Sequence, residues 1–421
     1  MWSVTALLVG LAGLTSTAGA DPTWPNDFDD LEEVMFQVFG FKARKFADVV
    51  FPCGNEEFEP GRFNSAEWLR TGFHDMATAN NYFGTGGIDA SLQYELDNPD
   101  NGGPGFRTTL EFMAPFFKKK TSLADLIALG VYTSVRSCDG PIVPIRYGRV
   151  DATSRGPTGV PLVQNSIFTF QQQFDRMGFN PTEMIQLVAC GHTIGGVHSD
   201  PNAQIVPPNT MPLEVGPFDE SPDIYDNEVV TGYLNGTTPN PLVRGPSVAL
   251  RHNSDFRIFN SDQNATVTAM ASSNEDFKAI CQGVLGRMID VVPDGVKLTD
   301  PIEPYSVKPV SLQLLLNDDA KTLQWTGFIR VRTTDFLLEE VEGITITYKD
   351  RYGGSNCGGA CSFTVTHRGV GGGFDDNFEV SLNSQRPPPP HGNLRALVLP
   401  HQPGHFRLQG NLVIQSHHPP E

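Results

Sequence analysis

A chain of 421 residues exceeds one ordinary hydrophobic core and calls for two domains, or three. Hydrophobic residues at 39% and aromatic residues at 10% exclude disorder throughout, and the 42 glycines and 33 prolines imply many turns and long connections. A formal net charge of -18 repels phosphate backbones and anionic lipid, which excludes nucleic acid and membrane surfaces as natural partners.

The chain opens on Met1-Trp2-Ser3, an apolar run from Val4 to about Leu14 and the small residues Ala18-Gly19-Ala20. That is the length and ending of a secretory signal peptide over residues 1–20, although its first residues lack a positive charge. No later apolar stretch is long enough to span a bilayer. Residues 21–300 mostly read as helices joined by long loops. The first clear helix is predicted from Ser65 to Ala77, with Asn64 as its cap, Glu67 completing a capping box, and Ala66, Leu69 and Phe73 as the apolar stripe. A second follows Thr121 or Ser122, with Leu123, Leu126, Ile127 and Val131 on one face. A third begins with Asn180 as cap, Pro181 in the first turn and Glu183 behind it, and ends near Gly191. A fourth covers about Glu275 to Asp290.

The pattern changes near residue 300. Short β-branched or alternating runs follow at Leu323–Val331, Ile344–Tyr348, Cys361–Thr366, Phe378–Leu382 and Phe406–Val413, separated by glycine and proline. Residues 301–421 therefore read as a β-sandwich-like accessory domain. It contains a stiff Pro387–Pro390 run and a frayed tail from His417. Cys53, Cys138, Cys190, Cys281, Cys357 and Cys361 fit an oxidising compartment and admit many pairings, with Cys357 and Cys361 near enough for a local loop. Asn235-Gly-Thr237 and Asn264-Ala-Thr266 are acceptor sequons for N-glycosylation.

The sharpest local feature is Arg70-Thr71-Gly72-Phe73-His74-Asp75. Arg70 and His74 are four apart and share one helix face. A neutral histidine there can take a proton from a bound peroxide and return it to the departing oxygen, and a guanidinium beside it can stabilise the charge that develops. Alone, the hexapeptide equally describes a core histidine beside a surface arginine. Asn101, in Asn98-Pro-Asp-Asn101, offers an amide oxygen for the far nitrogen of His74, or is simply a turn residue.

A second histidine, His192, follows the third predicted helix in Cys190-Gly-His-Thr-Ile-Gly. Imidazole is a standard axial ligand for haem iron, and Asp255 is its candidate carboxylate partner. A rival alignment puts Ser247 in that position, which would leave the imidazole without an anion. Two sets of hard oxygen donors suit calcium: Asp75, Gly87, Asp89 and Ser91, then Thr193, Asp219, Ser221, Ile224 and Asp226. The bland readings are a glycine-rich turn and an acidic solvated loop.

These motifs occur in an order that resembles the plant–fungal–bacterial haem peroxidase superfamily over roughly residues 40–295, and is most similar to its secreted fungal members. The resemblance implies a mainly α fold in two helical halves around haem b. It implies Arg70 and His74 on the distal side, His192 as proximal ligand and two calcium ions. Phe73 and Phe218 stand where the intracellular cytochrome c peroxidase type has tryptophan. Arg62, Ala66 and Ile194 stand where the manganese-oxidising branch has acidic residues. The resemblance also implies a Cys53–Cys138 disulfide, with Cys190–Cys281 as the accompanying expectation. It implies a secreted enzyme that reduces hydrogen peroxide and oxidises small phenols or aromatic amines. Trp68 or a surface tyrosine is a candidate relay for bulky donors. The β-rich region lies outside the resemblance. It is compatible with attachment to an extracellular polymer, or with a non-catalytic secreted binding protein acting through that region.

Overall fold

The computed structural model describes residues 25–40, 42–316, 323–332, 334, 344–347, 362–365, 373–374 and 381–383. The leader, Cys357, Cys361, the strand predicted at 406–413, the proline run and the tail lie outside them.

Among the described residues ten α-helices precede the main strands: α1 Asp29–Phe36, α2 Asn64–Met76, α3 Gly105–Met113, α4 Leu123–Ser137, α5 Ile167–Arg176, α6 Pro181–Gly191, α7 Glu228–Asn235, α8 Ser254–Phe259, α9 Ala265–Met270 and α10 Asn274–Ile289. The four predicted helices correspond to α2, α4, α6 and α10. Their starts follow from side-chain chemistry. Ser122 caps α4 by accepting from the Asp125 amide, and Asn180 and Glu183 form the expected capping box at α6. The box expected at Asn64 and Glu67 does not form. Asn64 lies inside α2 and its Nδ2 donates to the Val49 carbonyl at 2.8 Å, while the Glu67 carboxylate accepts from Arg62 and Thr108. Tertiary partners outcompete the local cap.

Helix α4 is buried nearly all round, as expected for a central helix. It crosses α2 closely because Gly72 has no side chain: a Cβ there would lie 2.3 Å from Val131 Cγ2. Disulfides Cys53–Cys138 and Cys190–Cys281 tie the loop before α2 to the end of α4, and α6 to α10. They fix the helices that carry both candidate histidines.

Two short strands, β1 Gly196–His198 and β2 Val215–Pro217, pair antiparallel just after α6. Beyond residue 300, β3 Val307–Leu316, β4 Leu323–Val331 and β7 Ser381–Asn383 form an antiparallel sheet in the order β3-β4-β7. The strands β5 Ile344–Thr347 and β6 Ser362–Val365 form a second antiparallel pair. A bulge between Val310 and Gln313 breaks the β3–β4 register.

The strand region grips the helical half through α1. Glu32, fully buried, accepts from Lys308 Nζ at 2.6 Å and from Arg330. Burial alone would raise the Glu32 pKa, but the two cations hold it below its ordinary value. The Tyr305 hydroxyl donates to Asp29 at 2.5 Å, and Ile302 and Tyr305 belong to the helical core. Phe374 packs on the same core and donates its amide to the Phe36 carbonyl.

Candidate active site

Helix α2 presents Arg70 and His74 one turn apart. The His74 ring is buried and its Nδ1 lies 2.8 Å from Asn101 Oδ1. Asn101 Nδ2 donates to the Glu95 carbonyl at 3.2 Å, which turns the amide oxygen toward the ring. That assigns the proton to Nδ1 and leaves Nε2 as a lone-pair acceptor. Burial, then the nearby Arg70 charge, pulls the His74 pKa down to about 3 against the opposing Asn101 bond, so the ring is neutral at ordinary pH.

Arg70 donates to the Gly102 carbonyl at 3.2 Å and its guanidinium lies 4.2 Å from the Phe106 ring centre, while Phe106 also meets His74 at 4.5 Å. Arg70 is exposed on the face of α2 that also carries His74. Desolvation lowers its pKa to about 10, and it stays cationic at neutral pH. Phe73 is half-buried and packs on Phe174, at 6.1 Å between ring centres. Trp68 is buried among Phe46 and Phe112 and has no surface to offer a donor.

His192 caps the C-terminal end of α6. Its Nδ1 lies 2.9 Å from Asp255 Oδ2, and its ring stacks on Phe218 at 4.2 Å with an interplanar angle of 7°. Asp255 is fully buried in α8, where Ser254 and Asn240 also donate to it, the latter at 2.9 Å. Ser247 instead turns its hydroxyl to the Pro241 carbonyl. Nε2 of His192 has no protein partner among the described residues, and the side chain is 33% exposed although Phe218 and Asp255 beside it are buried. A carboxylate-oriented imidazole with a free, accessible nitrogen fits an axial iron ligand.

The two histidine regions border one another. Gly195, at φ +78°, lies against α2, where a Cβ would come within 2.6 Å of the Ala66 Cβ. His198, in β1, feels the charges of Glu67, Arg62 and Arg70, and burial lowers its pKa.

The first oxygen-rich set also assembles. Asp75 is buried and accepts the amides of Asp89, Ala90 and Leu92 at 2.8–3.1 Å, and its pKa is raised by burial and by Asp89. Ser91 Oγ is buried without a partner. Gly87 makes the close approach to the segment after α10 possible: at φ +115°, a Cβ would lie 2.5 Å from the Val291 oxygen. In the second set the Thr193 hydroxyl donates to the Asp226 carbonyl at 2.5 Å, and Ser221 donates to the Asp226 carboxylate. Asp219 Oδ2 is buried without a partner, and desolvation raises that carboxyl to about 8. Ile224 is exposed in the same loop. Among the described residues no three His, Cys, Asp or Glu side chains cluster as a metal site, so any ion here would rely on hydroxyl and carbonyl oxygens as well.

A family model described as Peroxidase matches residues 55–272, about half of the chain. The chain belongs to the peroxidase family. That family implies a haem cofactor. Over 85% of the chain's length, 48% of residues are identical to a WSC domain-containing protein of Arthroderma benhamiae, half of whose length is covered. The peroxisomal L-ascorbate peroxidase 5 of Arabidopsis thaliana is 27% identical across 49% of the chain and 72% of the relative. A mitochondrial cytochrome c peroxidase of Yarrowia lipolytica is 28% identical across 41% of the chain and 49% of the relative. The chain thus spans about half the length of several of the relatives it matches.

Sequence reasoning missed Asn240, Glu95, Phe106 and His198. Asn240 meets Asp255, and Phe106 meets His74 and Arg70, through contacts between separate segments, while Glu95 holds Asn101 from the preceding turn and His198 lies in the field of Arg70.

Proposed function

We propose that this chain is a secreted haem enzyme that reduces hydrogen peroxide and oxidises small phenols or aromatic amines in one-electron steps. The observation that carries the reading is the neutral His74, its proton held at Nδ1 by Asn101, one helical turn from a cationic Arg70. Haem, which His192 would hold and His74 would face, would supply the redox chemistry between peroxide and organic donors. His192 offers Nε2 to the metal while Asp255 holds Nδ1–H and raises the donor strength of the ring. His74 Nε2 would accept a proton from hydrogen peroxide and deliver it to the departing oxygen. Such acid–base help is worth about 10²–10⁴-fold in rate. Arg70 stabilises the negative charge that grows on that oxygen.

Two calcium ions held by the oxygen-rich sets would satisfy the unpartnered Ser91 and Asp219 oxygens and brace the helices bearing both histidines. Secretion is supported by the leader-like residues 1–20 and the two disulfides. Phe73 and Phe218 support a place near the secreted fungal branch. The region after residue 300 is proposed as an accessory unit, with an extracellular polymer as its candidate ligand.

Visible absorption spectra of the purified protein before and after hydrogen peroxide test cofactor and reaction together. A haem band that changes on peroxide addition is expected. A correctly folded sample that never takes up haem would refute the reading. It would favour the alternative, a non-catalytic secreted binding protein acting through the region after residue 300.

A further inference from the structure

Asn264 stands where an asparagine ordinarily caps a helix, yet it does not cap. It precedes α9 with left-handed backbone angles (φ 66°, ψ 13°) and makes no side-chain cap bond. Asp262 does that work instead, accepting the Thr266 amide at 2.9 Å and the Thr266 hydroxyl at 2.5 Å. The Asn264 side chain turns toward α7, where Oδ1 accepts the Tyr233 hydroxyl at 2.9 Å. Nδ2 has no partner among the described residues, and Asn264 lines a depression of about 550 Å³. Tyr233 and Phe256 form an aromatic corner there, 6.4 Å between ring centres at 63°, beside Arg244, Gly236 and Thr238.

This geometry leaves Nδ2 able to carry a substituent in the folded protein. N-glycosylation bonds Nδ2 and leaves Oδ1 as an acceptor, so the Tyr233 bond survives and aims the sugar. The sequence Asn264-Ala265-Thr266 is an acceptor sequon. We propose that Asn264 carries an N-linked glycan whose first N-acetylglucosamine packs in this depression against Tyr233 and Phe256. Arg244 and the polar rim meet the sugar hydroxyls, and the aromatic faces take its apolar side. The glycan then covers Phe256, which is half-exposed directly beside Asp255. The other sequon gives an internal contrast. Asn235, Gly236 and Thr237 are all exposed at the end of α7, and the Asn235 side chain has no partner among the described residues.

The proposal rests on the secretory reading. The test expresses the full chain with its own N-terminus in a eukaryotic host and maps glycopeptides by mass spectrometry. It then follows release of each glycan from the folded protein by an endoglycosidase. Both asparagines should be occupied. Asn264 should be released at least about ten-fold more slowly than Asn235, because the enzyme must wait for local opening. Tyr233→Phe, which removes one oxygen, should keep Asn264 occupied and erase most of that delay. An occupied Asn235 with a bare Asn264 overturns the proposal and leaves the secretory reading intact. Equal release at the two sites overturns the seating of the sugar. Two bare asparagines overturn the proposal and the secretory reading together.

Discussion

Replacing Asn101 by valine removes one hydrogen-bond acceptor and little volume. In the native protein His74 Nδ1 donates to Asn101 Oδ1 at 2.8 Å, and Asn101 is itself held by the Glu95 carbonyl. In the variant the buried Nδ1–H has no acceptor. Leaving a buried donor unpaired costs about 1–3 kcal/mol. The ring escapes that cost by moving its proton to Nε2, the nitrogen proposed to accept from peroxide. The reactive tautomer then falls in population by about five- to 150-fold, and the rate of reaction with peroxide falls with it. Stopped-flow spectroscopy under single-turnover conditions measures that rate directly. Haem content and melting temperature, read on the same samples, separate chemistry from folding. A folded, haem-loaded variant that reacts within about two-fold of the parent would refute the tautomer argument.

Other outcomes follow from the same geometry. The peroxide rate should stay flat as pH falls from neutrality and drop only near pH 3, where His74 gains the proton that blocks Nε2; a midpoint near the ordinary imidazole value would contradict its burial. Arg70→Leu should move that midpoint upward, because it removes a repelling charge. Asp255→Asn keeps the size of the side chain but removes the anion facing His192, and should lower haem affinity or turnover by about 10–100-fold, read by haem titration and steady-state assay. Glu32→Gln takes the shared carboxylate from Lys308 and Arg330 and should cost about 3–5 kcal/mol; one calorimetric transition at lower temperature is expected, and an unchanged main transition would show that the strand region does not brace the helices. Chelation should lower the melting temperature, and calcium at about 100-fold its Kd should restore about 2.7 kcal/mol per site. A melting curve indifferent to chelator would argue against either ion.

Much of the site was legible because it is carried by short spacings. The interval from Arg70 to His74 is one helical turn, so a helix over these residues puts both on one face whatever surrounds them. The start of α6 was legible for the same reason, since Asn180, Pro181 and Glu183 interact within three residues. The failed box at Asn64 marks the limit. Val49, Arg62 and Thr108 compete for those side chains from outside the helix, and only the packed structure brings them there. The choice between Asp255 and Ser247 was open in the sequence for a similar reason. It depends on which of α8 and the preceding turn reaches the end of α6.

The sequence by itself determined the helical periods, the change to strands near residue 300, the two histidines with their local companions, and the acidic charge. Tertiary structure decided what each polar group meets: Asn240 on Asp255, Asn101 on His74, Glu32 between Lys308 and Arg330, and Tyr233 on Asn264. Periodicity is a property of neighbours along the chain and is written in composition order. Satisfaction of a buried donor or charge depends on segments that folding brings together from far apart, so it appears only once the core is packed.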